Sequence, residues 1–261
     1  MHIQPPGVVL TSSWLFKKGY SAELLRTYRN SHWLKSIGNG AMIRQSDEVD
    51  YTGAIYTLQQ QLNLSAHPAA KTAMALMGKS HYLGLGSNVV YLFGNAGERL
   101  PSWFKNHDWG VEIRYIASGI LPAGKGMVEK EHRNFFVKIS SPARAIMECL
   151  YLAPHKQDLT ECFEMMESLN NLNPVSVQEL LEHCTSVKVK RLFLYMAEKA
   201  GHVWFKHINI SHIDLGSGKR SLVSDGIFVA AYNMTVPKEL EADEKESKVD
   251  SQVKKSIVNS P

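Results

Sequence analysis

The sequence predicts an α+β protein built in two parts, and three observations carry that prediction. Residues 11–44 hold two short helical patterns and then a glycine-centred hairpin. Residues 89–139 hold three short β-rich runs separated by turn residues. From Ser141 onward the apolar period returns to that of amphipathic helices. They divide the chain into an N-terminal winged helix-turn-helix over 1–80, a mixed α/β C-terminal domain over 81–240, and a charged tail over 241–261 that composition reads as disordered.

A chain of 261 residues accommodates two domains. An apolar fraction of 44% supplies a buried core, and 21% charged residues is ordinary for a globular protein. The net charge of +4 is too mild to imply a nucleic-acid partner by itself, so where the charge sits decides more than its sum. Cys149, Cys162 and Cys184 form no CxxC pair and lie in helix-like sequence, which favours buried thiols over a disulfide or zinc site. The start, MHIQPPG, lacks a basic region followed by an apolar run, and no apolar stretch of about 18 residues exists to span a bilayer. The expectation is a cytoplasmic protein with no membrane partner.

Taken in order, Thr11 or Ser12 caps a helix through Lys18, with Trp14 and Leu15 turned inward and Gly19 ending it. Ser21 caps a second helix to about Ser31. Leu24, Leu25, Tyr28 and His32 fall on one side of it; Glu23, Arg26, Thr27 and Asn30 fall on the other, with Arg29 on the flank. Residues 33–37 and 41–44 read as strands around Gly38-Asn39-Gly40, where Asn-Gly favours the positive φ angles of a two-residue hairpin. Helical spacing follows over 51–62 and 71–77. Strands are expected at 89–93, 111–116 and 135–139, then helices from Pro142 and over 160–170, 176–183 and 187–200.

Chemistry is sparse. Gly78-Lys79-Ser80 resembles the end of a phosphate-binding loop, but Ala73 stands where the first glycine is required and helix precedes it. Gly216-Ser217-Gly218-Lys219-Arg220 lacks the following helix, and Gly84-Leu85-Gly86 is weaker still. No HExxH, GxSxG or Cys/His ligand set appears, and His207 and His212 stand five apart, a poor helical match. Glu161, Glu164 and Glu167 share a helix side that reads as a solvated face. No catalytic residue, metal site or cofactor is assigned, and an enzyme is not expected.

The functional weight falls on two basic regions. In the first, Arg26, Thr27 and Asn30 are placed to meet base edges, since arginine offers two donors to guanine and asparagine can pair with adenine. Lys17, Lys18, Arg29, Lys35 and Arg44 are suited to phosphates. The second spans 187–220, where Lys188, Lys190, Arg191, Lys199, Lys206, Lys219 and Arg220 face only Glu198 and Asp214. Such a patch fits a longer DNA footprint, an acidic partner or RNA, and equally a solvated helix and hairpin.

In collinear order, PPGVVLTSSWL, GYSAELLRTYRNSHWLKSIGNGA, YTGAIYTLQQQLNL, KTAMALMGKSHYL, LPSWFKNHDWG, SSPARAIMECLYL, SVKVKRLFLYMAEKAGHVWFKHINISHIDLGSGKR and YNMTVPKEL resemble the AbiEi family, antitoxins of type IV (abortive-infection) toxin–antitoxin systems. The resemblance implies a winged helix-turn-helix that binds inverted-repeat DNA before its own operon, as a monomer binding cooperatively. It also implies an antitoxin domain that neutralises a nucleotidyltransferase-like toxin without a stable complex. By position it adds Ser12, Ser13, Ser21 and Asn39 to Arg26, Thr27, Arg29, Asn30, Lys35 and Arg44 as DNA contacts, and assigns Lys188, Lys190, Arg191, Lys206, Lys219 and Arg220 to the antitoxin domain. Relatives carry a further helix before the Pro5-Pro6-Gly7 segment, and the tail after Leu240 departs from the family pattern. A metabolite-responsive winged-helix regulator is the alternative, and an enzyme using Lys79 or Lys219 on phosphate a third reading.

Overall fold

The computed structural model describes residues 4–78 and 88–241, which leaves Lys79, Ser80, His81, Gly84-Leu85-Gly86 and the tail beyond Glu241 outside the described residues. The fold is mixed α+β with several small sheets. It divides into two compact units, residues 1–145 and from 146 onward.

The first unit begins with β1 (Leu10–Thr11), α1 (Ser12–Lys17), α2 (Ala22–Asn30), β2 (Leu34–Gly38) and β3 (Ala41–Arg44). The strands form one antiparallel sheet in the order β1-β3-β2. Leu10, Leu15, Leu25, Leu34 and Met42 make a small core of their own, flanked by Trp14, Tyr20 and Tyr28. Ser21 caps α2 by accepting from Leu24 N at 3.1 Å, which satisfies an amide the helix leaves open. Thr11 does not cap α1 through its side chain. Its amide and hydroxyl both donate to Gln61 Oε1, whose own amide donates to Val9 O at 2.7 Å. This buried polar set ties β1 to the end of α3 (Tyr51–Gln60). Gly53 of α3 has no room for a Cβ because Gly7 O lies against it.

Two expectations for this segment change. Leu24 is 37% exposed and His32 is exposed, so α2 buries only Leu25 fully and touches its sheet along a narrow line. In the hairpin, Gly40 takes a positive φ (+74°) but Asn39 does not; the second unusual residue is Gly38, at +157°. A bulge between Ser36 and Gly38 explains the difference, since the extra twist is taken up before the turn.

The rest of the first unit packs onto α3. The sheet β4-β5-β6 comprises β4 (His67–Pro68), β5 (Val89–Gly94) and β6 (Glu112–Ala117), with β5 and β6 parallel. Helix α4 (Ala70–Leu76) precedes β5, and α5 (Ser102–Asn106) bridges β5 to β6. A hairpin of β7 (Met127–His132) and β8 (Phe135–Ser140) lies against α3, and Gln59 exchanges two hydrogen bonds, both 2.9 Å, with the Lys138 main chain. One core results: Val8, Val9, Ile55 and Leu58 pack with Leu92, Phe104, Phe135, Val137 and Ile139. Residues 88–140 therefore complete the core begun by residues 8–58.

The second unit is mainly helical: α6 (Pro142–Leu152, which begins in the first unit), α7 (Leu159–Glu167), α8 (Pro174–His183) and α9 (Val187–Lys199). Side-chain caps from Asp158, Asn173 and Ser186 open the last three. Residues 189–197 of α9 are all buried, and so are Cys149, Cys162 and Cys184, none of which is in a disulfide. Two 3₁₀ turns (Val203–His207 and Ile210–His212) lead to a sheet ordered β10-β11-β9, made of β9 (Arg220–Ser221), β10 (Gly226–Val229) and β11 (Met234–Pro237). No helix among the described residues is long and apolar enough to cross a membrane.

Candidate nucleic-acid interface

Helix α2 turns one face to its core and the other to solvent. At 100° per residue, Arg29, Arg26, Asn30 and Thr27 cover roughly 160° of arc opposite Leu25 and Tyr28. All four are exposed. The guanidinium groups of Arg26 and Arg29 make no hydrogen bond or ion pair among the described residues, so their charge stays available to a ligand. Thr27 is partly committed, since its hydroxyl donates to Glu23 O at 3.1 Å.

Around α2 the remaining residues separate by exposure. Ser13, Lys17, Ser21, Lys35 and Asn39 are exposed, and so is Lys18, whose ammonium stands 5.5 Å over the Trp14 ring. Ser12 is half-buried; its amide donates to Gly40 O at 2.8 Å and holds the start of α1 against the hairpin tip. Arg44 is the exception to the expected phosphate contacts. Its guanidinium donates to Pro5 O, Gln4 O and Asp47 Oδ2 at 2.8–3.0 Å, so it braces the N-terminal segment. Asp47 also accepts from Gly7 N at 2.9 Å.

Two features escaped sequence reasoning. Trp33 is 70% exposed directly after α2, although its place in an expected strand gave no sign of it. The floor of the hairpin is α5: a Cβ at Gly38 would stand 2.8 Å from Trp103 Cβ and 3.0 Å from Trp103 Cα. That close approach explains a glycine there, and its only signal in sequence was the glycine itself.

Comparison with known proteins bears on what this surface serves. Residues 1–85 match a family model described as the transcriptional regulator AbiEi antitoxin N-terminal domain, and residues 87–237 match one described as transcriptional regulator, AbiEi antitoxin, type IV TA system. The chain belongs to the AbiEi antitoxin family. Among solved structures it resembles the RV2827C protein from Mycobacterium tuberculosis, with 11% identity and a TM-score of 0.54, over 87% of this chain and 85% of that one. At that identity the likeness shows the fold alone. No curated protein matches the chain.

The second basic region of this AbiEi antitoxin does not form the continuous surface that its sequence suggests. Arg191 is 2% exposed; its guanidinium donates to the carbonyls of Leu215, Gly216, Gly218 and Asn233 at 2.7–2.9 Å. It is a strut that holds the glycine loop against α9. Lys190 is 4% exposed on the same helix. Lys188 directs its ammonium at the carbonyls of Tyr151 and Ala153, at the C-terminal end of α6, where a cation is favoured. Burial holds the Lys188 amine below the usual lysine range. Lys199 Nζ sits 5.6 Å over the Phe163 ring. All-round apolar burial of α9 draws these residues inward, because a helix packed on several sides leaves few positions for water. Lys206, Lys219 and Arg220 remain exposed, with Lys219 Nζ 5.2 Å over the Phe228 ring.

Proposed function

We propose that residues 10–44 form a winged helix-turn-helix in which α2 reads operator DNA and the β2–β3 hairpin is the wing. The observation that carries this reading is the uncompensated Arg26, Arg29 and Asn30 face of α2, set beside a sheet ordered β1-β3-β2. Arg26 and Asn30 would meet base edges in the major groove, while Lys17, Lys18, Arg29 and Lys35 position phosphates. Ser12, Ser13, Ser21 and Asn39 border this surface; Arg44 supports it from behind. The DNA would be inverted repeats before the protein's own operon, bound cooperatively by monomers. Neutralisation of a nucleotidyltransferase-like toxin, without a stable complex, would belong to residues 81–240, with Lys206, Lys219 and Arg220 exposed cations there.

The test uses the full chain. Arg26→Ala with Asn30→Ala should relax selectivity for the upstream repeats while the circular dichroism spectrum stays unchanged. The same double variant should still protect cells that express the toxin, because DNA reading and neutralisation are separate functions. Wild-type selectivity in the double variant would sink the assignment of α2 as the reader.

A further inference from the structure

A cleft of about 380 Å³ lies beside α5 in the first unit, within the size range of small-molecule sites. Leu100, Phe104 and Ile113 give it an apolar lining. Arg99 and Lys105 also line it; both are exposed, and their side chains make no hydrogen bond or ion pair among the described residues. The cleft's carboxylate forms no ion pair with them among the described residues. Glu98 Oε2 accepts from the amide and hydroxyl of Ser65, at 2.8 and 3.1 Å, and its Oε1 accepts from Tyr115 Oη at 3.1 Å. Gly94 keeps this arrangement in place, since a Cβ there would collide with Tyr115 Oη and Glu98 Oε1. Two uncommitted cations against one carboxylate, which is turned to Ser65 and Tyr115, leave an excess of positive charge beside an apolar lining and favour an anion that carries a hydrophobic body.

The same helix that lines the cleft supports the hairpin. Phe104 contributes to the cleft, and its neighbour Trp103 abuts Gly38. The Trp103 and Phe104 rings lie 5.7 Å apart edge to face, Phe104 and Trp109 lie 5.5 Å apart, and Trp109 Nε1 donates to Phe104 O at 2.8 Å. A close-packed aromatic block transmits displacement rather than absorbing it. We propose that this cleft binds a small organic anion with an apolar body, and that its occupancy changes operator affinity through α5 and the hairpin. The second half rests on the DNA-binding reading above.

The experiment titrates the full-length protein with benzoate and with phenyl phosphate, using benzamide as the uncharged comparison, while methyl spectra follow Leu100 and Ile113. Saturable shifts at these methyls are expected with at least one anion. Arg99→Ala with Lys105→Ala should weaken that binding by about tenfold or more, the scale of one lost charge-assisted hydrogen bond. Fluorescence anisotropy on an operator duplex should show an affinity change of about threefold or more when the cleft is saturated. Absence of saturable shifts with either anion, wild-type binding by the double variant, or equal binding of benzamide overturns the site. An unchanged operator affinity at saturation overturns the coupling. A protein that binds probe but not operator overturns the DNA reading and the coupling together, whereas operator binding without probe binding overturns the cleft and the coupling and leaves the DNA reading standing.

Discussion

Replacing Arg191 by alanine removes a guanidinium that donates to four main-chain carbonyls across 24 to 42 residues of chain. Hydrogen bonds from charged donors contribute about 1.5–3 kcal/mol each. Gly216 and Gly218 are exposed, so their carbonyls can turn to water once the arginine is gone. The net loss then corresponds to roughly two bonds, about 3–5 kcal/mol, the size found when one member of a buried charged set is deleted. The assay is urea unfolding followed by circular dichroism. With a slope of about 2 kcal/mol/M for a small unit, the midpoint of the second unit's transition should fall by roughly 2 M. Arg191→Lys should recover less than half of this, because an ammonium cannot fork to four acceptors. A wild-type midpoint for Arg191→Ala, accompanied by weaker binding to a partner, would refute the strut and restore the residue to a binding surface.

Three further predictions address the first unit and the pH response. Gly38→Ala should cost about 1–3 kcal/mol through overpacking on Trp103 and weaken operator binding severalfold; an unchanged melting temperature would mean that α5 does not support the hairpin. A fragment of residues 1–85 should show no dispersed NMR spectrum, whereas 1–145 should fold. The short fragment loses Leu92, Phe104, Phe135, Val137 and Ile139 from its core, each worth about 1.5–3 kcal/mol, against a total stability of about 5–15 kcal/mol. Tyr232 is buried, its hydroxyl donates to Glu198 Oε2 at 2.8 Å, and burial followed by that carboxylate pushes its phenol well above 10. The unfolded phenol ionises near pH 10 while the folded one stays protonated, so this contribution is complete below pH 10 and is lost as pH rises beyond it. Melting temperature should therefore fall less steeply above pH 10 in Tyr232→Phe than in the wild type, and parallel profiles would remove Tyr232 as a cause.

Much of the N-terminal segment was legible because its signals are local. Ser21 before an amphipathic run marks a cap, the Leu25/Arg26 contrast marks two helix faces, and Asn39-Gly40 marks a turn; each depends on residues within a few positions. Helix α6 was equally plain from Ser141-Pro142. The strands β7, β9, β10 and β11 and helix α5 were not anticipated. β9 is two residues long, and β7 carries three consecutive charged residues, Glu129, Lys130 and Glu131, so neither has an alternating pattern to read.

Charge was where sequence reasoning stopped. Lys188, Lys190 and Arg191 look like Arg26 and Arg29 in sequence: basic residues on a helix with few acids nearby. Their roles differ because α9 is packed on nearly every side, while α2 leans on its sheet along one line. The sequence by itself determined the helix faces, the caps, the turn and the family resemblance, since these follow from neighbours along the chain. Only the tertiary structure decided which cations reach solvent, that Arg44 and Arg191 are braces, and that α5 underlies the hairpin. Those outcomes depend on carbonyls and rings brought from 24 to 65 residues away, and no local pattern encodes such distant partners.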